Sequence, residues 1–262
     1  MSPDLPWVVV GCGRVGRTLV LAARRAGIDV RACWSRGDGP IEDVVRQCEG
    51  AAVFLTVTDG ALDEVARTVA PLEKAALAVH CSGSLSSDVL RDAGILAPVG
   101  SVHPLLSIAQ PDQAVGRLGE AAWTIEGDPQ VLTWARAWLG RLGATPTTIE
   151  PQHKALYHAS AVTSAGLVVA LLDAAFEMAA AAGIDREAAV GMLVPLARSA
   201  LENLETMDPT DALTGPVARG DEDVIAMHRR ALARLDDHNL RDIYDALTNR
   251  ARRLAGVPTS SD

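Results

Sequence analysis

No two cysteines in this chain stand in C-x-x-C spacing. The four that occur, Cys12, Cys33, Cys48 and Cys81, fall in the first third of 262 residues, with strand-like segments between them. That pattern speaks against a thiolate zinc site and against a disulfide framework, and it predicts free thiols in a reducing, cytoplasmic protein. No bound metal is expected. Positive charge is also in deficit: 24 Lys and Arg face 33 Asp and Glu, for a net charge of −9. Nucleic acid and anionic membrane surfaces are therefore poor candidates for the main partner. Internal repeats and low-complexity tracts are missing. A secretory leader is not expected, because Asp4 and two prolines precede only a short apolar strand. One stretch, Ala159 to Ala182, is long and apolar, yet it carries Asp173 and Glu177 among small residues. A helix buried in a core or at a subunit interface fits it better than a membrane span.

What is present begins at Trp7, where the chain reads WVVVGCGRVGR. A β-branched run, Val8 to Val10, meets Gly11, Gly13 and Gly16 in G-x-G-x-x-G spacing, and an amphipathic stretch follows with Val15, Leu19, Ala22, Ala23 and Ala26. Strand, glycine turn and helix in that order form the context in which the motif binds a dinucleotide. Gly11 makes the turn, Gly13 admits a pyrophosphate, and Gly16 lets the helix close on the strand. The helix start, with Cys12, Arg14 and Val15 beside the glycines, offers N–H groups to phosphate. About twenty residues on, an NAD site places an acid at the end of the second strand. Here the strand ends Cys33-Trp34-Ser35-Arg36. A hydroxyl and a guanidinium suit a 2′-phosphate instead, so NADP is the expected cofactor, with Asp38 leaving NAD open.

The rest of the chain is long enough for one large or two modest domains, and 48% of it is hydrophobic. Up to Glu150 it alternates strand-like and helix-like segments, which predicts a largely parallel, doubly wound α/β sheet of the Rossmann kind over residues 1–150. From Pro151 the pattern turns helical, with segments at Gln152–Ala182, Asp185–Thr206, Asp221–Leu235 and Asn239–Arg253. Pro151 suits a first helical position, Gly183 a stop and Asp185 a cap. Residues 151–262 are therefore read as an all-helical domain, ending in a frayed tail at Pro258–Asp262. Its first helix, rich in Ala, Gly, Ser and Val, is expected to be buried on several sides, in part by a second subunit.

Reaction chemistry should gather at strand ends and at the domain junction. Thr56, Val57 and Thr58 end one strand and should pass the cofactor. His80-Cys81-Ser82-Gly83 ends another; Ser82 and Gly83 are candidates for cofactor or substrate contact, and His80 reads as structural. Gly100-Ser101-Val102-His103-Pro104 ends a third and offers His103 for substrate binding or proton transfer. The junction helix carries His153, Lys154, Tyr157 and His158, with Lys154 and His158 four apart on one face. Lys154 is the expected proton donor with His158 orienting it, or else a ligand for a substrate carboxylate. In Leu213–Asp221, Arg219 is a candidate carboxylate clamp and Asp221 a candidate cap.

Five segments together resemble bacterial Rossmann-like proteins with an uncharacterised helical C-terminal domain: GCGRVG, HCSGSLSSDVL, GSVHPL, HKALYHASAV and LTGPVARGD. That group is distantly similar to pyrroline-5-carboxylate reductase, prephenate dehydrogenase and the β-hydroxyacid dehydrogenases. The resemblance implies an NADP-linked two-domain reductase whose helical domain, like the C-terminal domain of 6-phosphogluconate dehydrogenase, builds a homodimer. It also implies a cleft between the domains. Lys154 stands where the β-hydroxyacid dehydrogenases keep a helix lysine, and His103-Pro104 is similar to a pair in prephenate dehydrogenases. His158 departs from the asparagine found one turn past that lysine. A small ketone or imine bearing a carboxylate is the implied substrate, with a ketopantoate-like 2-keto acid as a candidate. A protein that senses NADP without turning it over, or a reductase using a deazaflavin, are the alternatives.

Overall fold

Four apolar residues without a polar break, Trp7–Val10, form strand β1 of a computed structural model that describes residues 2–257. The tail at 258–262, expected to fray, lies outside the described residues. A strand of this composition must be covered on both faces. Trp7 and Val9 enter one apolar cluster, and Val8 and Val10 enter another. The sheet is completed by β2 (Val30–Trp34), β3 (Ala52–Leu55), β4 (Leu77–His80), β5 (Val99–Leu105), β6 (Ala122–Gly127) and β7 (Thr147–Thr148). Among the described residues seven strands run in the order β2-β1-β3-β4-β5-β6-β7. Every neighbouring pair is parallel except β5 with β6. The Rossmann-like α/β fold expected from the alternation is present.

Helices cover both faces. Leu19 and Ala23 of helix Arg14–Arg25 and Trp134 and Trp138 of helix Pro129–Arg141 fill the first cluster. There Trp134 stacks on Trp138, with ring centroids 6.0 Å apart, and Trp7 meets Phe54 at 4.3 Å. Helix Asp59–Val69 fills the second cluster with Leu62, Ala66 and Val69. One expectation is corrected here. Cys12 of the glycine turn and Cys33 of β2 lie 6.1 Å apart at Cα and are joined as a disulfide. The turn folds back over the neighbouring strand, a proximity that linear spacing does not reveal. Cys48 and Cys81 are free thiols.

The chain divides into two compact units, Met1–Thr163 and Ser164–Asp262. The first runs past the boundary expected at Glu150, because Lys154 at the start of helix Lys154–Ser164 is buried among the strand ends. The single helix expected over Gln152–Ala182 is interrupted at Ala165, whose φ of −126° and ψ of −73° leave the helical region. A second helix, Gly166–Ala181, follows. By length and composition alone, the stretch Pro151–Ala181 could cross a membrane.

The second unit is helical: Gly166–Ala181, Arg186–Leu204, Glu222–Leu232 and His238–Leu254, with short turns of helix at Pro209–Ala212 and Pro216–Arg219. Gly183 ends one helix at φ +84°, and Asp185 caps the next by accepting from the Ala188 N–H at 3.0 Å. Its core is small, centred on Ala174, Leu232 and Leu240. An apolar hollow of about 440 Å³ lies beside it, lined by Leu171, Met178, Ile243 and Tyr244. Only Ala174 and Phe176 of helix Gly166–Ala181 are buried, so the expectation of a helix enclosed on several sides fails for a single chain.

Candidate functional site

The three glycines of the first turn meet three different surroundings. Gly11 adopts φ +106°, and a methyl group there would lie 2.8 Å from the Thr56 carbonyl carbon. A methyl group at Gly16 would collide with the Gly11 carbonyl oxygen and stand 2.6 Å from Thr56 Oγ1. At Gly13 nothing lies within 4 Å. Gly11 and Gly16 therefore close the turn against β3, while Gly13 leaves backbone open to a ligand. This is the division of labour that a pyrophosphate cradle requires. Thr56 Oγ1 donates to the Gly11 carbonyl at 2.5 Å and fixes the turn.

A cleft of about 520 Å³ opens here. It brings together Gly11, Cys12, Gly13, Ser35, Arg36, Thr56, Val57 and Thr58, all named from sequence. Ser35 Oγ accepts from the Cys12 N–H at 3.2 Å, and Asp38 caps the Ser35 N–H at 2.7 Å. The one acid near the end of β2 is thus engaged by backbone, and Arg36 remains at the rim, exposed. Arg14 and Val15 open the helix beside Gly13. The donor set fits an anionic dinucleotide.

A second group of side chains lies at the ends of β4, β5 and β6. His80 is fully buried: Nδ1 accepts from the Ser82 N–H at 3.1 Å, so the proton sits on Nε2, 3.2 Å from the Ser86 carbonyl. Burial first, then the Lys154 charge, pushes its pKa down to about 3, and it is the structural histidine expected. Ser82 Oγ accepts from the Ser84 and Leu85 N–H groups at 3.2 and 3.0 Å. Its hydroxyl caps a turn, although a ligand contact was expected of it. Ser84 in turn donates to Asp59.

Lys154 is 1% exposed. Its ammonium donates to the Ser82 carbonyl at 3.0 Å and to Ser101 Oγ, and it faces Glu126 at 3.5 Å. Three donors thus have three partners. Burial lowers its pKa, and Glu126 opposes that shift. Glu126 accepts from the Ser87 N–H at 2.6 Å and the Ser87 hydroxyl at 2.9 Å. Such an amine anchors strand ends, and all three of its protons are engaged there, where the sequence suggested a proton donor. Glu126 and Ser101 were missed as partners. The one sequence signal was a lone acid closing the strand-like segment Ala122–Ile125.

His103 and His158 do meet. Their ring centroids are 6.1 Å apart, and both crowd Gly83, where a methyl group would lie 2.7 Å from His158 Cδ2 and 2.9 Å from His103 Nε2. Gly83 is required for that approach. On its other side, His103 Nδ1 lies 2.9 Å from the Tyr157 hydroxyl. Burial, then Lys154, then His158, hold the His103 pKa down at about 4, so the ring is neutral at pH 7. Arg219 belongs to the other unit, where its guanidinium is exposed and pairs with Asp221 at 2.8 Å. That pairing takes the Asp221 carboxylate, and the side-chain cap considered for Asp221 is not formed.

A model of the domain of unknown function DUF2520 matches residues 121–251. No curated protein sequence matches the chain. Among solved structures, a Bacteroides fragilis protein provisionally described as an NADP oxidoreductase is 20% identical with a TM-score of 0.78, over 96% of this chain and 99% of its own. Protein TM1727 of Thermotoga maritima is 23% identical with a TM-score of 0.71, over 95% and 98%. Pyrroline carboxylate reductase of Plasmodium falciparum, solved with NADP bound, is 12% identical with a TM-score of 0.64, over 97% and 100%. The likeness at these identities is one of fold.

Two measurements follow from the buried charges. Lys154→Met leaves Glu126 buried without its counterion, and urea denaturation should show a loss of about 3–5 kcal/mol. The double variant with Glu126→Gln should recover much of it; a single variant as stable as the parent would remove the anchoring role. His80 and His103 titrate well below their unfolded value near 6.5. Between roughly pH 4 and 6.5 the unfolded chain then binds more protons, so stability falls as pH falls through that window. Replacing His103 with Asn should flatten the slope, and an unchanged slope would contradict the assignment.

Proposed function

The chain belongs to the DUF2520 family, and we propose that it is an NADP-dependent oxidoreductase reducing the C=O or C=N bond of a small, carboxylate-bearing substrate. A ketopantoate-like 2-keto acid is the candidate ketone. A cyclic imine is the candidate on the other side, by analogy with the substrate class named for the Plasmodium reductase. The observation that carries this reading is the open backbone at Gly13 between two sterically closed glycines, in the same unit as a histidine at the end of β5.

Gly11 to Gly16 would hold the pyrophosphate, and Ser35 with Arg36 the 2′-phosphate of the ribose. The reduced nicotinamide supplies hydride when bound. His103 is assigned the proton that the reduced oxygen or nitrogen requires, with the His158 ring beside it, 6.1 Å away between centroids. Lys154 is a positioning residue, holding the turn at Ser82 and Gly83 through the Ser82 carbonyl. Arg219, in the other unit and paired with Asp221, has the chemistry of a carboxylate ligand. A second reading, NADP binding without turnover, draws on the full engagement of Lys154 and the neutrality of His103.

Assembly and location complete the proposal. Leu167, Val169, Met192, Leu196 and Leu201 of the helical unit are each more than half exposed. Apolar faces of that extent suit a homodimer built through this unit. The cytoplasm, where reduced dinucleotide is regenerated, is the compartment we assign, and there the Cys12–Cys33 disulfide would be exposed to reducing conditions.

NADPH at a hundred times its Kd should raise Tm by about 5–10 °C, more than NADH does. Arg36→Ala should weaken NADPH binding about 10-fold and leave NADH unchanged. No shift with either nucleotide would sink the cofactor assignment. In a screen of keto and imino acids, His103→Asn should lower kcat at least about 10²-fold; parental turnover would remove His103 from the chemistry. Analytical ultracentrifugation should find a dimer at micromolar concentration, and a monomer alone would overturn the assembly.

A further inference from the structure

His103 makes one polar contact that the reductase reading has not used. Its Nδ1 lies 2.9 Å from the Tyr157 hydroxyl, and the two rings stand nearly perpendicular, at 87°, with centroids 5.7 Å apart. The opposite edge of the imidazole, Nε2 and Cε1, faces Gly83. We propose that Tyr157 is a positioning residue: its hydroxyl donates to Nδ1 and holds His103 in the tautomer that carries its proton on Nε2. This inference deepens the assignment of His103 as proton donor and rests on it.

The direction of the hydrogen bond follows from acidity. A phenol ionises near pH 10, and the second proton of a neutral imidazole is far less acidic. The ring nitrogen is also a better acceptor than a phenol oxygen. O–H donating to Nδ1 is therefore the favoured arrangement whenever the ring is neutral. The charged and titratable groups facing His103 are Lys154 and His158, which keep the proton count of the ring low, and Asp59, which opposes them. Burial adds to the first effect. Tyr157 is itself raised above the ordinary phenol value by burial, so it stays protonated and able to donate.

This arrangement answers a difficulty in the proton step. A ring with a pKa of about 4 is almost never an imidazolium at pH 7, so His103 has no spare proton to give. The Tyr157 contact supplies a second route. As the substrate oxygen or nitrogen gains its electron pair from hydride addition at carbon, the Nε2–H bond breaks and the new O–H or N–H bond forms. Nδ1 takes the phenol proton in the same event, and the ring remains neutral throughout. To reset, Nε2 takes up a proton from water and Nδ1 returns its own to the Tyr157 phenolate, which restores the starting tautomer. Without Tyr157 the ring would have to become an imidazolate, and the route would close.

The first test is spectroscopic and needs neither cofactor nor substrate. Protein labelled with 15N-histidine contains six histidines, and the His103→Asn variant identifies the signal of His103. Two-bond 1H–15N correlation spectra at pH 7 should show His103 as a single tautomer with Nε2 protonated and Nδ1 hydrogen-bonded. In Tyr157→Phe the Nδ1 resonance should move to the value of a free ring nitrogen, and the tautomers should mix. A wild-type His103 protonated on Nδ1 would overturn the proposal whether or not the variant folds. So would a His103 spectrum identical in both proteins. Because this result is independent of turnover, it fails separately from the reductase reading. With an active substrate, Tyr157→Phe should lower kcat at least about 10-fold while KM changes less than twofold. Equal changes in the two constants would assign Tyr157 to substrate binding and refute the relay.

Discussion

One ammonium group, that of Lys154, holds this site together. It has left water completely, a move that costs several kcal/mol unless charge and hydrogen bonds replace what water gave. The replacements come from three separate strand ends: the Ser82 carbonyl after β4, Ser101 on β5 and Glu126 on β6. Glu126 carries the connection on to Ser87, just before helix Asp88–Asp92. Elements distant in sequence are thereby held at fixed separation by a single side chain. The same charge reaches the reacting groups. It helps keep His80 and His103 neutral, so an interaction that secures the architecture also sets the protonation of the imidazole beside it.

What the sequence made legible was local. The glycine turn could be read because strand, turn and helix lie within a few residues, and the steric role of each glycine depends on immediate neighbours and Thr56. Helix ends at Gly183 and Asp185 were legible for the same reason. Lys154 was found, but its role was not: its spacing to His158 put both on one helix face, while the partners that engage it come from segments 28 to 72 residues away. Glu126 was hidden inside a strand pattern, where nothing marks one acid as buried. The pairing of Cys12 with Cys33 and the reversal of β6 are facts of tertiary proximity. The break at Ala165 falls beside Gly166, a poor helix former, but one glycine among alanines and other helix-compatible residues costs only about 1 kcal/mol and did not mark a break.

The two halves of the first unit differ in charge logic. The cleft at Gly13 presents backbone N–H groups, a hydroxyl and the exposed Arg36, all suited to anions. At the β5 end, the cation is buried and paired, and the imidazole nearest Gly83 is neutral. Binding strength and reaction chemistry are thus assigned to separate residues. A substitution that retunes nucleotide preference at Arg36 has no direct contact with the histidines.

The antiparallel pairing of β5 with β6 sets Ser101 opposite Glu126 and His103 opposite Thr124, on one face of the sheet. The helix above places Lys154 against the first row and Tyr157 against the second. Three helical residues advance about 4.5 Å and two strand residues about 6.7 Å, close enough for long side chains to bridge the difference. The site is therefore a small lattice, two rows deep, with its spacing set by backbone geometry. Slipping any one of the three elements by a single residue would turn both rows away together. Such a lattice is inherited whole: loops leading to it can lengthen or shorten, but its register leaves no path of single insertions along which anchor and reacting group could separate.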